Sequence, residues 1–334
     1  MRKSLKGLNR IRSIRSSNLI KLPNKVEEID NKKNQENDSK QLIAVCCCGF
    51  APKSLKYTKE SIKKNILDIL EKEFIVDVYT YSYISKNNII ESNDINKHGS
   101  HINNDDVNLL KSEVRTVYQE DVSDIIKNII YDKNISLRNI SVINFLRELL
   151  MEKYSYQMIK ESKKKYKSII YVHPDMFISK PISIKEVYDT INVSNSLYTT
   201  TFNDWNGYGI GFYIGNPSVI DTITNRIDEL RNISKIESEK LLKTCVTNAK
   251  IHRFKSCMFY FKIKVDGKPD MFFQLLKKYT STKEYMIAIS LYKQSIRIIK
   301  NNETTDTNDT VDTNDIIISP KKSRRQHKMR SSTK

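Results

Sequence analysis

The stretch Ser168-Ile169-Ile170-Tyr171-Val172-His173-Pro174-Asp175-Met176-Phe177-Ile178-Ser179-Lys180-Pro181-Ile182 decides the fold. The continuous apolar run from Ile169 to Val172 predicts a strand buried on both faces, the kind that fills the middle of a parallel sheet. Pro174 has no N–H to give to a ladder and ends that strand. Asp175 follows at the break, Met176 to Ile178 resume the apolar character, and Pro181 closes the segment. A carboxylate in that position lies at the carboxyl edge of the sheet, where open α/β sheets bind their ligands. An Asp at a strand end can equally cap the turn that follows, and the tetrapeptide alone does not separate the two readings.

Upstream, Leu42 to Cys48 reads as another buried strand, ending at Gly49. Phe50 to Lys53 reads as a loop. From Ser61 to Leu70 the apolar residues Ile62, Ile66, Ile69 and Leu70 recur at helical spacing, and Phe74 to Tyr81 is a second strand. Strand, glycine turn, helix, strand is a βαβ unit with a right-handed crossover. A strand near Val114 to Tyr118 and a helix from Asp121 follow. A longer helix opens at Asn144 and runs to about Lys164, with Phe145, Leu149, Leu150, Tyr156 and Ile159 on its apolar side. Beyond Asp175 come a helix at Ile184 to Ile191, a strand at Asn195 to Thr201, an amphipathic helix at Ser218 to Leu230, a helix from Glu237 and a strand at Phe259 to Lys268. The alternation predicts an α/β, Rossmann-like domain over residues 40–299, its mostly parallel central sheet flanked by helices.

Charge is distributed unevenly. The net charge is +18. Residues 1–25 and 321–334 together hold fifteen basic side chains and no acid, which leaves 42 basic against 39 acidic residues for the body. A nearly neutral body argues against a groove built for nucleic acid, while the tails can hold polyanions weakly on their own. Residues 1–39 and 300–334 are polar and read as disordered tails. Residues 1–25 are also acid-free and Arg/Ser-rich like an organelle transit peptide, and Lys321 to Arg330 is a basic run of the nuclear-localisation kind. No apolar run approaches the ~18 residues of a membrane-spanning helix. Five cysteines occur, Cys46, Cys47, Cys48, Cys245 and Cys257. The odd count and the lack of a signal peptide point to reduced thiols in the cytoplasm. On a strand, three adjacent side chains alternate faces, so they read as core residues rather than as ligands of one metal. His98 and His101 lie in an Asn/Asp/Ser-rich segment with no third ligand beside them.

Four of the eight glycines, Gly207, Gly209, Gly211 and Gly215, crowd into Phe202–Pro217 with Trp205, the only tryptophan. Such a loop bends tightly and presents backbone and an aromatic face on which a sugar ring can stack. An edge strand weakened by glycine has the same composition.

These landmarks, in this order, resemble GT-A-type nucleotide-sugar glycosyltransferases, and more closely a glycosyltransferase-like group of giant DNA viruses. In the GT-A pattern a strand ends in Asp-x-Asp, whose second acid holds a divalent cation against the sugar nucleotide's diphosphate. Here the triplet is His173-Pro174-Asp175. The viral group has Tyr-x-Arg-Pro-Asp at this place, Asn-x-Leu-Arg-Gln-Leu on the preceding helix (here Asn144 to Leu149) and Gly-x-Asn-Asp-Arg-Phe-x-Ile-Gly-x-Pro in the glycine loop. Gly207, Phe212, Ile214, Gly215 and Pro217 match the last of these, while Ile210 and Gly211 replace its Asp and Arg. The resemblance spans roughly residues 42–268. It implies a metal-assisted transferase that moves a sugar from a nucleotide-diphosphate sugar to a hydroxyl of a glycan or protein acceptor. Asp175 would hold Mn²⁺ or Mg²⁺, and Gly49, Lys53, Arg147, His173, Trp205 and Gly207 would lie along the nucleotide sugar. Asp204 or Glu239 would serve as the base. In a virus the location would be the host cytoplasm, with nucleus or virion as alternatives. Two other readings follow from the same residues. One is a catalytically inactive relative that binds glycans or proteins; the other is a virion protein that holds nucleic acid through its tails.

Overall fold

Leu42–Gly49 forms strand β1, buried from Ile43 onward. The computed structural model describes residues 40–90, 100–132, 140–178, 180–200, 207–232, 238–254 and 260–267, with Ser290 and Arg297. Helix α1 begins immediately, at Ala51–Ile62, and continues through a π turn, Lys63–Leu67, to a last turn at Asp68–Leu70. The expected loop at Phe50 to Lys53 is therefore mostly the first turn of a helix. Pro52 suits that place, because its missing N–H is one of the donors a helix start leaves unpaired. The period is hidden before Ser61 because the buried face mixes Ser54 and Thr58 with Ala51 and Leu55.

Strands β2 (Ile75–Ile84) and β3 (Glu113–Tyr118) lead into helices α2 (Gln119–Asp132) and α3 (Ile140–Glu161). Then come β4 (Ser168–Val172), β5 (Met176–Ile178), α4 (Ile184–Asn192), β6 (Ser196–Thr199) and β7 (Phe212–Gly215). Helix α5 (Pro217–Thr224) is followed by a 3-10 turn at Arg226–Asn232, so the single helix expected to Leu230 breaks at Asn225. Helix α6 (Ser238–Cys245), β8 (Lys250–Arg253) and β9 (Tyr260–Lys262) complete the described chain.

Seven strands form one sheet in the order β3-β2-β1-β4-β7-β6-β8, and β5 pairs with β9 in a separate ladder. All pairings in the large sheet are parallel except those of β7, which runs against both β4 and β6. This is the mostly parallel, helix-flanked, Rossmann-like layout that the sequence predicts. Of the glycine-rich segment, Gly207 to Gly211 is a loop, and Phe212–Gly215 forms an interior strand rather than an edge. Strand β8 was not expected: it has only four residues, Lys250 exposed and the others half-buried.

The period-2 alternation of β1 divides the core into two layers. Ala44, Cys46 and Cys48 pack with Leu146, Leu149 and Met158 of α3. Ile43, Val45 and Cys47 pack with Leu55, Ile62 and Ile66 from the α1 side. The three thiols thus point to alternate faces as expected. Burial pushes Cys47 up to about 12 and raises Cys46 and Cys48 as well, which keeps them protonated and unreactive. In the α3-side layer, Arg226 and Glu152 form a fully enclosed ion pair. It fastens α3 to the turn after α5, and removing either partner alone would strand a buried charge.

Among the described residues no helix is long and apolar enough to cross a membrane. The expected tails 1–39 and 300–334 lie outside the described residues, as do His98 and Cys257. His101 is exposed, in a single bridge to Ile89.

Candidate functional site

The strand order reverses direction between β1 and β4. From β1 the chain moves outward through β2 to β3, then returns to place β4 on the other side of β1. Ligands of open α/β sheets bind in the crevice beyond the carboxyl ends of the strands at such a switch point. Gly49 ends β1 there, and His173-Pro174-Asp175 leave β4 beside it. Gly49 has φ of +148°, and a Cβ on it would lie 2.8 Å from both His173 Nε2 and Pro174 Cδ. Glycine is needed at this position because the backbone adopts a positive φ and the imidazole packs against it.

The turn is held on several sides. The His173 N–H donates to Gly211 O at 3.1 Å, and the Met176 N–H closes the turn on His173 O at 3.0 Å. Thr58 Oγ1 of α1 donates to Pro174 O at 2.6 Å. The Ile263 N–H donates to Asp175 O at 2.7 Å, which brings the chain just after β9 against the turn. Two turns of α1 continue the clamp. Ser61 Oγ accepts from the Ile178 N–H at 3.1 Å, and Asn65 Nδ2 donates to Ile178 O at 2.7 Å. Within the π turn, the Asn65 carbonyl accepts from the Ile182 N–H at 2.8 Å.

Asp175 is 2% exposed. Its Oδ1 lies 2.6 Å from His173 Nδ1, and its Oδ2 accepts from Lys53 Nζ at 3.2 Å. Burial alone would raise its pKa. The neighbouring His173, Lys53 and Lys262 and the His173 hydrogen bond outweigh that, and hold the carboxyl well below its ordinary range. Lys53 sits in the first turn of α1 with its side chain 35% exposed, so the ammonium reaches from the buried carboxylate toward solvent. Lys262 faces the site from β9, opposite Met176. Sequence reasoning passed over Lys262, and only the short β5–β9 ladder brings it near. Thr58, Ser61 and Asn65 were also missed. Their signal was present as polar residues at i, i+3 and i+7 on one face of a helix.

Gly49, Lys53, His173 and Asp175 therefore converge. Gly207 lies at the other end of the glycine loop. The Tyr208 N–H donates to Glu239 O at 3.0 Å, and a Cβ on Gly207 would run into the Glu239 carbonyl at 2.0 Å. Arg253 Nη2 donates to Gly207 O at 3.3 Å and Arg253 Nη1 to Thr200 O at 2.6 Å, with the guanidinium 4.9 Å from the Tyr208 ring centroid. The loop thus runs from Glu239 and Arg253 to His173, which Gly211 O receives. Arg147 is buried on α3; its carbonyl accepts from Tyr83 Oη at 3.1 Å, and the Tyr83 ring meets Phe50, next to Gly49, edge-on at 6.5 Å. Arg147 Nη1 donates to Asn144 Oδ1 at 3.5 Å. Asp204 and Trp205 lie outside the described residues.

The donors around Asp175 do not fit a divalent cation. Hard cations such as Mg²⁺ and Mn²⁺ need several oxygen ligands. Among the described residues no group of three or more His, Cys, Asp or Glu side chains is placed to hold a metal. The one carboxylate at the turn has both oxygens engaged, one by an ammonium. A metal on that oxygen would have to displace Lys53 and then lie near a like charge.

No protein-family model matches the chain, and no curated protein matches it. Among solved structures, the galactosyltransferase LgtC in complex with donor and acceptor sugar analogs is similar over 65% of this chain and 74% of its own, at 12% identity and a TM-score of 0.33. Mouse xyloside xylosyltransferase 1 is similar over 64% and 84%, at 9% identity and a TM-score of 0.31. The glycosyltransferase GlyE of Streptococcus pneumoniae TIGR4, in its apo form, is similar over 65% of this chain and 46% of its own, at 12% identity and a TM-score of 0.31. Scores this low add nothing to the fold assignment, which rests on strand order and pairing.

Proposed function

We propose that the protein is a glycosyltransferase that moves a sugar from a nucleotide-diphosphate sugar to a hydroxyl of a glycan or protein acceptor. One observation carries this reading. The buried Asp175 carboxylate, Lys53 and His173 meet Gly49 at the switch point between β1 and β4. That is the crevice where a mostly parallel sheet takes a nucleotide. The ordered sequence landmarks supply the reaction class.

In the proposed reaction, the acceptor hydroxyl loses its proton to a carboxylate and its oxygen attacks the anomeric carbon. The bond from that carbon to the diphosphate breaks, and the diphosphate leaves with the electron pair. Gly49 allows the donor close to the backbone, and Lys53 and His173 face its phosphates. Arg147 adds positive charge from the α3 side. The glycine loop from Gly207 to Gly211, with Trp205 before it, borders the sugar. Asp204 or Glu239 takes the proton. The cation that the resemblance implies at Asp175 finds no fitting donor set among the described residues, and no step is assigned to it.

The test is release of nucleoside diphosphate from a panel of UDP- and GDP-sugars, with glycan acceptors supplied. Turnover by the wild type, with a loss of at least about 10²-fold in Glu239→Gln or Asp204→Asn, fits removal of a general base. No turnover with any donor, or unchanged turnover in Asp175→Ala, counts against the reading. Ile210 and Gly211, at the place of an Asp and an Arg in the viral group, favour a second reading, an inactive relative that binds glycans. It predicts no thermal stabilisation by any sugar nucleotide.

A further inference from the structure

The Asp175 turn presents a cation of its own. Lys53 Nζ sits 3.2 Å from Asp175 Oδ2, and His173, at the place of the first acid of an Asp-x-Asp, covers Oδ1 at 2.6 Å. Resting on the function proposed above, we infer that this site grips the diphosphate of its nucleotide without a divalent cation, the Lys53 ammonium standing where a metal would otherwise lie.

Three features support this. First, the lysine is positioned at both ends. Its backbone belongs to the first turn of α1, where the Lys53 N–H closes on Phe50 O at 3.1 Å, and its head is anchored on a carboxylate that is itself buried. A fixed ammonium has lost most of its rotamer entropy before the ligand arrives. Second, an ammonium has three N–H donors, and Asp175 takes one. With its side chain 35% exposed, Lys53 has donors left to turn toward a phosphate. Third, the surroundings add positive potential. Lys262 sits on β9 opposite Met176, the residue after Asp175, and the N-terminal end of α1 begins at Ala51, two residues beyond Gly49. Asp175 is then a positioning residue for Lys53 rather than a metal ligand. A lone carboxylate coordinating a metal would instead be expected to keep an oxygen clear of ammonium groups.

The full chain is titrated with UDP, GDP and ADP by calorimetry, once in EDTA and once in Mn²⁺. The expected result is that whichever nucleotide binds does so with the same affinity in both buffers. Lys53→Met weakens it by about tenfold or more, the scale of one charge-assisted hydrogen bond, in both buffers alike. Lys53→Arg, which keeps the charge, recovers a large part. Thermal melts of each variant separate lost binding from lost folding. If Lys53→Met does not fold, the wild-type comparison of EDTA with Mn²⁺ still decides. Binding seen only with Mn²⁺ overturns the inference and leaves the proposed function standing. Binding in neither buffer overturns both.

Discussion

Gly49 carries two demands at once: a φ of +148° and a neighbour, the His173 imidazole, within 2.8 Å of where a side chain would start. Gly49→Ala should therefore cost about 1–2 kcal/mol for the backbone alone, and more if His173 cannot shift. A lowered urea midpoint at unchanged slope would show it, and nucleotide affinity should fall with it as the imidazole is pushed aside. Asp175 makes a second prediction. Its native pKa lies well below the ordinary 3.8, because His173, Lys53 and Lys262 outweigh the opposing effect of burial. A depressed carboxyl stabilises the fold once the unfolded chain's carboxyl has ionised, and that share is lost as pH falls through about 4 toward the native value. Unfolding free energy measured from about pH 6 down to 3 should decline more steeply in the wild type than in Asp175→Asn. Equal slopes would mean that the carboxyl is not held down by its neighbours. Both residues were legible in the sequence, since a glycine after one apolar run and an acid after another mark strand ends. Lys53 as the partner of that acid was not, because they are 122 residues apart.

Helix α1 shows why an element can be harder to read than a residue. Its inward face mixes Leu55, Ile62 and Ile66 with Ser54, Thr58 and Ser61, all buried. A scan for apolar period starts the helix at Ser61 and misses the turns above it. Thr58 and Ser61 are inward because the Asp175 segment offers backbone groups to pair with: Thr58 takes Pro174 O and Ser61 the Ile178 N–H, while Asn65 takes both Ile178 O and the Ile182 N–H. The π turn at Lys63–Leu67 widens the helix where Asn65 makes these bonds, and π turns are frequent at functional sites. Thr58→Val keeps the shape and removes the bond to Pro174. The expected cost is about 1–3 kcal/mol, since the carbonyl is left buried without its donor. Nucleotide affinity should drop further than in a variant matched for stability but distant from the turn, such as Ile223→Val in the opposite core layer. If the two variants bind alike, α1 supports the fold and not the site. Elements carried by continuous apolar runs, β1 and β4 above all, were legible to within a residue or two. Strand β8 was not, because its pairing with β6 is written in neither periodicity nor composition.

At the scale of the whole molecule, the charge of +18 divides into two parts with different consequences. The body is close to neutral, so the positive charge at the switch point is local: Lys53 and Lys262 gathered with the His173 imidazole around a single carboxylate. Local charge of this kind recognises a small anion by geometry and is less exposed to screening. The terminal segments hold fifteen cations without an acid, a pattern that attracts any polyanion and releases counterions when it does. If the parts act separately, each can be removed without the other. Deleting residues 1–25 and 321–334 should abolish retention on heparin and binding to a fluorescent single-stranded oligonucleotide. The full chain's affinity for that oligonucleotide should fall steeply with salt, by about 0.7 in log–log slope for each phosphate contacted. The same deletion should leave nucleoside-diphosphate affinity within about twofold, a difference of less than half a kcal/mol. Conversely, Lys53→Met should leave the oligonucleotide titration and its salt slope unmoved. Oligonucleotide binding that survives the deletion would place a polyanion surface on the body and contradict the division drawn from its charge.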